Sequence, residues 1–307
     1  MEYISQDTFT MGNTAVSLGK FDGVHRGHRL LMEEIKKSSK REGLTSVVFT
    51  FSVHPSTLLT PEHARMIYTE DEKRILLEEL GLDVMISYPF TKETLKMTAK
   101  NFISQVLVGK LHAKRIVVGS DFRFGKGRQG DVDMLRQYSR VYGYELVVVD
   151  KLKENGQVIS STEIRQLLKI GEMERANALL GSPYFLKGTV VHGNHIGRAT
   201  FSMPTANIIP GPEKLLPPSG VYATVTTLHG KQEPGITNVG VKPTVGDGYG
   251  IGVETNLFGT FEDFYGEEIC VSFLKYIRPE QKFDSLQSLT RQMARDKETA
   301  ESYFATL

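Results

Sequence analysis

Residues 18–28 read Leu18-Gly19-Lys20-Phe21-Asp22-Gly23-Val24-His25-Arg26-Gly27-His28. The apolar run at 15–18 predicts a buried strand, and the segment 27–41 predicts a helix. Ligands of parallel sheets bind beyond the carboxyl ends of strands, and a helix that begins there presents unpaired N–H groups to phosphate. His25 and His28, three residues apart, can point the same way from the first helical turn. The stretch therefore predicts a phosphate-binding turn.

Short apolar runs alternate with helical segments up to about residue 180. The predicted strands are 15–18, 46–51, 84–87, 115–118 and 145–149, and the predicted helices are 27–41, 70–80, 99–110 and 131–142. Each strand is a short continuous apolar run, as expected for strands covered on both faces. The alternation predicts an α/β domain with a parallel sheet, which we place at residues 1–183.

The pattern changes in the second part of the chain, where Gly and Pro interrupt short strands. The predicted strands are 187–192, 221–227, 235–239, 252–258 and 269–273, with a loop at 245–252. They predict a small antiparallel β-barrel within a domain at 184–307. A terminal helix is predicted over Leu286–Phe304, with apolar residues that pack on the barrel: Leu286, Leu289, Met293, Ala300 and Phe304.

Composition limits the class of protein. The 307 residues suffice for two domains, and a net charge of +1 argues against binding nucleic acid by bulk charge. The single cysteine, Cys270, excludes an internal disulfide and is interpreted as a small buried apolar residue. No apolar run reaches the roughly 20 residues of a membrane span, and the start lacks the pattern of a signal peptide. We expect a cytoplasmic protein without membrane or nucleic-acid partners.

Three motifs in order resemble the prokaryotic-type FAD synthetases of the nucleotidyltransferase superfamily. Residues 19–28 resemble the first signature, residues 118–131 the flavin-side loop, and Ile159-Ser160-Ser161-Thr162-Glu163-Ile164-Arg165 the second signature. Residues 50–55 add support, although Val53 stands where the family usually has proline. The resemblance implies a Rossmann-like domain in which the phosphate of FMN attacks the α-phosphorus of ATP.

The resemblance also implies roles for individual residues. His25, His28 and Arg165 would stabilise phosphate charge. The remaining ATP and phosphate contacts would be Gly19, Phe21, Gly27, Ser160, Ser161 and Thr162, and the flavin contacts Asp121, Phe122, Phe124 and Arg128. Purely structural interpretations stay open: a histidine helix cap, core packing of the two phenylalanines, and a capping box from Ser160 to Glu163.

The rest of the chain resembles riboflavin kinase. The resemblance rests on five segments, at 188–193, 203–207, 218–223, 238–244 and 253–254. Thr205 and Asn207, two apart in an extended segment, share one face and offer oxygen ligands to the Mg²⁺ of ATP. By resemblance Glu254 is the general base toward riboflavin, Gly193 contacts ATP and Asn238 contacts flavin. A solvated strand face is the alternative for Glu254.

Two departures leave the kinase assignment open. The loop at 197–204 is one residue longer than in the family and has Ser202 where glycine is expected, and Gly259 replaces a customary aspartate. The leading hypothesis is a bifunctional enzyme that uses ATP, Mg²⁺, riboflavin, FMN and FAD, as a monomer or weak homo-oligomer. The alternatives are a monofunctional FMN adenylyltransferase with an inactive kinase-like domain, a nucleotidyltransferase with another substrate, and a non-enzymatic flavin sensor.

Overall fold

A computed structural model describes residues 1–52, 65–191, 205–243, 249–259 and 264–307. These residues form two compact units, Met1–Ser161 and Thr162–Leu307. The functional boundary that we place at 183/184 stays a prediction. Helix α6 (Ser161–Ile170) begins at the last residue of the first unit, and α7 (Met173–Leu180) lies in the second.

The first unit contains a six-stranded sheet in which all strand pairs are parallel. Its strands are β1 (Glu2–Ile4), β2 (Thr14–Leu18), β3 (Thr45–Phe51), β4 (Val84–Tyr88), β5 (Ala113–Gly119) and β6 (Glu145–Val149). The helices are α1 (Arg26–Glu42), α2 (Glu70–Glu79), α3 (Lys92–Lys96), α4 (Ala99–Asn101) and α5 (Val132–Tyr142). The predicted α/β fold is confirmed. The edge strand β1 and the short helix α3 were not predicted from the sequence.

The strand order β1-β4-β3-β2-β5-β6 places the candidate site. The chain leaves β2 through α1 toward β3 on one side, and leaves β5 through α5 toward β6 on the other. The carboxyl ends of β2 and β5, which pair directly, therefore flank the crevice at which such sheets bind ligands. Helix α1 is held against the sheet by Leu31, Met32 and Ile35, which are buried.

The predicted helix at 99–110 contains a π-helix. After α4 the chain continues as the π-helix Phe102–Val108. Gly109 donates its N–H to the carbonyl of Ser104 at 3.0 Å, and Leu111 donates to that of Val106 at 2.9 Å, both five residues back. Phe102 and Ile103 are buried in the hydrophobic core of the first unit.

The second unit contains a six-stranded sheet of order β10-β13-β12-β11-β14-β9, all pairs antiparallel. Its strands are β9 (Tyr184–Thr189), β10 (Thr205–Ile208), β11 (Gly220–Leu228), β12 (Lys231–Pro243), β13 (Tyr249–Leu257) and β14 (Glu268–Pro279). A bridge from Val191 to Asn207 joins the two ends of the sheet. The chain thus forms the predicted barrel, and β9 and β10 meet at its seam.

The seam requires a close approach of backbones. A Cβ added to Gly188 in β9 would lie 2.3 Å from Cγ2 of Ile208 in β10. Val191 donates its N–H to the carbonyl of Asn207 at 2.8 Å. Glycine therefore allows β9 to reach β10.

The terminal helix α8 (Leu286–Phe304) packs on the outside of this sheet. Ala300 is buried with Val221, Ala223 and Ile236, and Phe304 packs against the same cluster. The predicted contribution of Leu286 is wrong, since this residue is 54% exposed at the first turn of the helix. Besides this apolar cluster, the ion pair of Asp296 with Arg278 of β14 holds the helix.

Two further predictions of detail need correction. The loop predicted at 245–252 is too long, because β13 already begins at Tyr249; residues 244–248 lie outside the described residues. Cys270 in β14 is only partly buried, because alternation turns Val271 rather than Cys270 toward the interior.

Candidate functional site

The turn between β2 and α1 has an unusual backbone. Phe21 and Val24 have φ angles of 48° and 41°, although neither is glycine. Such angles are strained for bulky and β-branched residues and persist only where packing enforces them. Both side chains are fully buried, and the carboxylate of Asp22 accepts the N–H of Ile67 at 3.0 Å. The turn is therefore built into the core.

Both glycines assigned to this turn lie against aromatic rings. A Cβ on Gly19 would lie 2.9 Å from Cζ of Phe21, and one on Gly27 would lie 3.2 Å from the ring of His25. Because Gly19 and Gly27 have no side chains, the backbone of the turn can pack against the rings of Phe21 and His25. The side chain of Phe21 is fully buried within the turn, and its predicted contact with ATP stays a prediction.

His25 and His28 form a stacked pair at the start of α1. Their ring centroids are 3.6 Å apart, and the edge of Phe21 contacts the ring of His28. His25 is the N-cap residue, and its Nδ1 accepts a long 3.4 Å hydrogen bond from the N–H of His28. A neutral imidazole whose Nδ1 accepts a hydrogen bond carries its ring hydrogen on Nε2. The structure thus supports the capping interpretation and leaves Nε2 as the donor nitrogen of His25.

Burial keeps both imidazoles neutral. It lowers the pKa of His25 from the ordinary value of 6.5 to about 4. Burial also lowers the pKa of His28 well below its usual value, with smaller effects from His25 and Lys73. Nδ1 of His28 is buried and has no hydrogen-bond partner among the described residues. Near neutral pH both rings of the pair are therefore neutral.

Lys73, which the sequence analysis missed, lies beneath the turn. Its Nζ donates to the carbonyl oxygen of Lys20 at 3.1 Å, and the hydroxyl of Thr50 donates to the same oxygen at 3.2 Å. Burial lowers the pKa of Lys73, while Asp22 and Glu70 raise it. A lysine in an amphipathic helix usually faces water, so the sequence carried no signal for this burial.

Ser161 of the second signature contacts the same turn. Ser161, the first residue of α6, donates its hydroxyl to the carbonyl of Asp22 at 2.7 Å. Ser160 precedes the helix, and Thr162 and Arg165 follow within its first turn and a half in the second unit. Thr162 is exposed and Arg165 is half-buried.

A hairpin also packs on the start of α1. It consists of β7 (Lys153–Glu154) and β8 (Gln157–Val158). Glu154 forms an ion pair with Arg26, and Cβ of Leu152 lies 3.9 Å from the position a Cβ would take on Gly27. The sequence analysis did not predict this hairpin, because each strand has only two residues.

The predicted flavin loop follows β5 at the same sheet edge. The Asp121 carboxylate pairs with Nζ of Lys151 at 2.8 Å. Phe122 and Phe124 stack at 5.5 Å, but Phe124 is buried in the core beside Phe102, which gives it a packing role. Arg128 is exposed, with a φ of 58°. Of the predicted flavin contacts, Asp121 and Arg128 are thus exposed and Phe122 is half-buried.

In the barrel, three of the predicted residues lie in one row. Asn207 in β10 is directly opposite Glu254 in β13, and Glu254 is directly opposite Asn238 in β12. Residues opposite one another in neighbouring strands project from the same face. Asn207 is buried, while Glu254 and Asn238 are half-buried. The row joins an amide, a carboxylate and a second amide.

The neighbouring row contains Thr205 opposite Asn256. The hydroxyl of Thr205 donates to Oδ1 of Asn256 at 3.2 Å, which leaves its oxygen lone pairs as acceptors. Thr205 and Asn207 provide the hard oxygen donors that suit Mg²⁺. Within the described ranges, no group of three or more His, Cys, Asp or Glu side chains is arranged to hold a metal ion.

Of the two departures from the kinase pattern, the longer loop and Gly259, the structure describes only Gly259. The loop at 197–203 and Gly193 lie outside the described residues. A Cβ on Gly259 would lie 1.9 Å from Oε1 of Glu233. The carboxylate of Glu233 therefore occupies the space that a side chain at 259 would need.

Comparisons with known proteins cover both units. The family profile described as FAD synthetase matches residues 8–163, and that described as riboflavin kinase matches residues 180–304. Proteins named "Bifunctional riboflavin kinase/FMN adenylyltransferase" from Escherichia coli (strain K12) and Bacillus subtilis (strain 168) are 40% and 37% identical to this chain. The matches cover 94% and 96% of this chain, and 92% and 93% of those proteins.

One solved structure is similar over the whole chain. A crystal structure described as a "Macrolide-efflux Protein" from Streptococcus pneumoniae superimposes with a TM-score of 0.87 at 30% identity, over 98% of this chain and 99% of that one.

Among the residues that the structure describes, no helix is long and apolar enough to cross a membrane.

Proposed function

Because the chain belongs to the bifunctional riboflavin kinase/FMN adenylyltransferase family, we propose that it converts riboflavin to FMN and FMN to FAD with ATP. The stacked pair of His25 and His28 at the crevice between β2 and β5 carries the adenylyltransferase assignment. The row of Asn207, Glu254 and Asn238 supports the kinase assignment.

In adenylyl transfer, a phosphate oxygen of FMN attacks the α-phosphorus of ATP and pyrophosphate leaves. The phosphate is already anionic near neutral pH, so the chain does not need to remove a proton. Its task is to position the reactants and stabilise charge. In this proposal Nε2–H of His25 donates a hydrogen bond to phosphate, and His28 lies beside it. Arg165 of the second signature adds a planar guanidinium with several N–H donors. Asp121 and Phe122 would contact the flavin.

In phosphorylation, the terminal hydroxyl of riboflavin attacks the γ-phosphorus of ATP. Glu254 takes the hydroxyl proton as general base, and Asn238 beside it orients the flavin. ADP leaves with the electron pair of the broken bond. The half-buried Glu254 lies in a row with two amides, which supports this role over that of an ordinary solvated strand residue.

Mg²⁺ is part of the proposal. Thr205 and Asn207 would hold it with a hydroxyl and an amide oxygen, while the phosphates of ATP supply further oxygens. The ion would neutralise phosphate charge.

The other hypotheses have less support. A chain with an inactive kinase-like domain is not favoured, since the riboflavin kinase profile spans residues 180–304 and its relatives are named as bifunctional. The match to FAD synthetase argues against a nucleotidyltransferase with another substrate and against a flavin sensor. We also propose a cytoplasmic protein that acts as a monomer or weak homo-oligomer and binds no nucleic acid, in keeping with its net charge of +1 and single cysteine.

A chromatographic assay tests both activities. Purified full-length protein is incubated with ATP and Mg²⁺ and with either riboflavin or FMN. We expect FMN and FAD from the first reaction and FAD from the second. If FAD forms from FMN and no product forms from riboflavin, the kinase activity is excluded and the adenylyltransferase activity is retained. No FAD from either substrate would exclude the adenylyltransferase.

A further inference from the structure

Asn238 of the proposed kinase row has a carboxylate on two sides. Glu254 is directly opposite it on β13, and Glu280 approaches it from the segment that follows β14. Nδ2 of Asn238 donates to Oε1 of Glu280 at 3.4 Å. An ionised carboxylate only accepts hydrogen bonds, so the amide turns its nitrogen, not its oxygen, toward Glu280. The contact is long, and its significance depends on how closely Glu280 is held.

Gly240 provides the space that Glu280 occupies. Asn238 and Gly240 are two residues apart in β12 and therefore belong to the same face of the strand. A Cβ on Gly240 would lie 2.3 Å from Oε1 of Glu280 and 3.1 Å from Oε2. Gly240 is not among the glycines with a positive φ, so the space and not the backbone conformation requires glycine here. Any side chain at 240 would displace the carboxylate from Asn238.

The cation beside Glu280 in the sequence is engaged elsewhere. Arg278 donates to both carboxylate oxygens of Asp296 in α8 and to the carbonyl of Pro279. These bonds use all three nitrogens of the guanidinium. Glu280 therefore serves the amide of Asn238 and not Arg278.

The orientation of the amide decides what a substrate meets. With Nδ2 turned to Glu280, Oδ1 is the atom of Asn238 that can accept a hydrogen bond from a ligand. Riboflavin carries a chain of hydroxyl donors next to the terminal hydroxyl on which Glu254 would act. Residues directly opposite in antiparallel strands have Cβ atoms about 4.5–5.5 Å apart, so a neighbouring ribityl hydroxyl comes within reach of Asn238.

We propose that Glu280 is a positioning residue for the kinase, which fixes the amide of Asn238 so that Oδ1 accepts a hydrogen bond from a ribityl hydroxyl of riboflavin. The inference rests on the proposed kinase activity. This hydrogen bond is the same before and during phosphoryl transfer. Its loss therefore weakens the binding of riboflavin and leaves the chemical step unchanged.

The first test compares Glu280→Ala with Glu280→Gln, which retains an acceptor for Nδ2. For FMN formation by Glu280→Ala, we expect the KM for riboflavin to rise by about three- to tenfold. Its kcat and its KM for ATP stay within about twofold of the parent values. Glu280→Gln stays close to the parent protein. The control is Glu298→Ala, which removes an exposed carboxylate from α8 and should change none of these constants.

Two further variants show whether Glu280 acts through Asn238. Gly240→Ala places a methyl group where the carboxylate lies and should raise the KM for riboflavin as Glu280→Ala does, with no further rise when the two are combined. In an Asn238→Ala background, Glu280→Ala should have no effect, because the amide that it orients is already gone.

Two results would overturn the inference. One is a KM for riboflavin in Glu280→Ala equal to that of the parent. The other is the same rise of KM in the presence and in the absence of Asn238. A merely structural role of Glu280 would lower kcat or the fraction of active protein, and the retained kcat distinguishes it from positioning.

A binding measurement separates this inference from the proposed function. The fluorescence of riboflavin, titrated with each variant in the presence of Mg²⁺ and ADP, reports binding without phosphoryl transfer. A weaker Kd in Glu280→Ala, absent in the Asn238→Ala background, supports the role of Glu280 even if no FMN is formed. An unchanged Kd contradicts it even if FMN formation by the parent is normal, and so does a parent protein that does not bind riboflavin.

Discussion

Asn207 and Glu254 lie directly opposite each other on β10 and β13, so that the proposed metal ligand and the proposed base share one face of the barrel. The first of these strands also forms the seam of the barrel through Asn207. Nothing local to either segment brings the two residues together. Their relationship depends on the register of the β10–β13 pair, and a shift by one residue would turn one of them to the opposite face.

Replacement of the proposed base gives a prediction for the kinase. Glu254→Gln keeps the shape of the side chain but cannot accept the hydroxyl proton. FMN formation from riboflavin should fall by about 10²–10⁴-fold, while FAD formation from FMN persists. Glu268→Gln is the control, because Glu268 is an exposed barrel residue that pairs with Lys187. Equal behaviour of the two variants in the chromatographic assay would argue against Glu254 as the base.

The histidine pair gives the complementary prediction. His28→Ala removes one ring of the stack, and we expect FAD formation to fall by about 10²–10³-fold, as for other lost transition-state donors. FMN formation should remain largely intact. His229→Ala, which alters an exposed histidine paired with Glu267, serves as control. Equal loss of both activities in His28→Ala would contradict the assignment of two separate sites.

The lowered pKa of His25 predicts a loss of stability in acid. The unfolded chain takes up a proton near pH 6.5, whereas the folded chain resists it until about pH 4. The unfolded state therefore binds more protons as pH falls through this window, which costs about 3 kcal/mol of stability by pH 4 and little more below it. Calorimetric unfolding of the full chain across this window measures the effect. In His25→Asn, which retains a helix cap, the loss should be smaller.

The ion pair between Arg278 and Asp296 predicts how α8 is held. Arg278 donates to both carboxylate oxygens at 2.7–3.0 Å, and the side chains are 14% and 3% exposed. Asp296→Ala leaves a largely buried cation without its partner and should cost about 3–5 kcal/mol. Glu301→Ala, which breaks the exposed pair with Lys297, should cost less than about 1 kcal/mol. Thermal unfolding compares them, and similar shifts would contradict the anchoring role.

Hydrophobic periodicity was sufficient to predict the layout of the fold. The runs at 46–51 and 145–149 contain almost only apolar and β-branched residues, and they became β3 and β6. The edge strand β1 was not predicted, since three residues with one partner strand carry too little pattern. The π-helix at Phe102–Val108 has the apolar spacing of an α-helix and differs only in its hydrogen bonds.

The local geometry of the candidate sites was predictable where a motif is continuous in sequence. Residues 19–28 carry their own turn and helix start, and the structure places His25 at the N-cap. Lys73 was missed because its burial depends on where α2 packs. Phe124 was assigned to flavin, yet it lies in the core, since sequence cannot distinguish an aromatic wall from an aromatic core. The row of Asn207, Glu254 and Asn238 required the pairing of distant strands.

The bridge from Val191 to Asn207 has a consequence for local opening. The N–H of Val191 is bonded to the carbonyl of the residue whose side chain would bind Mg²⁺. Deuterium can replace this hydrogen only when the seam separates. A nucleotide held through Asn207 favours the closed seam by linkage, and exchange at Val191 should slow when Mg²⁺ and ATP are added. One amide hydrogen thus reports, without any turnover, how far occupation of the kinase site closes the barrel.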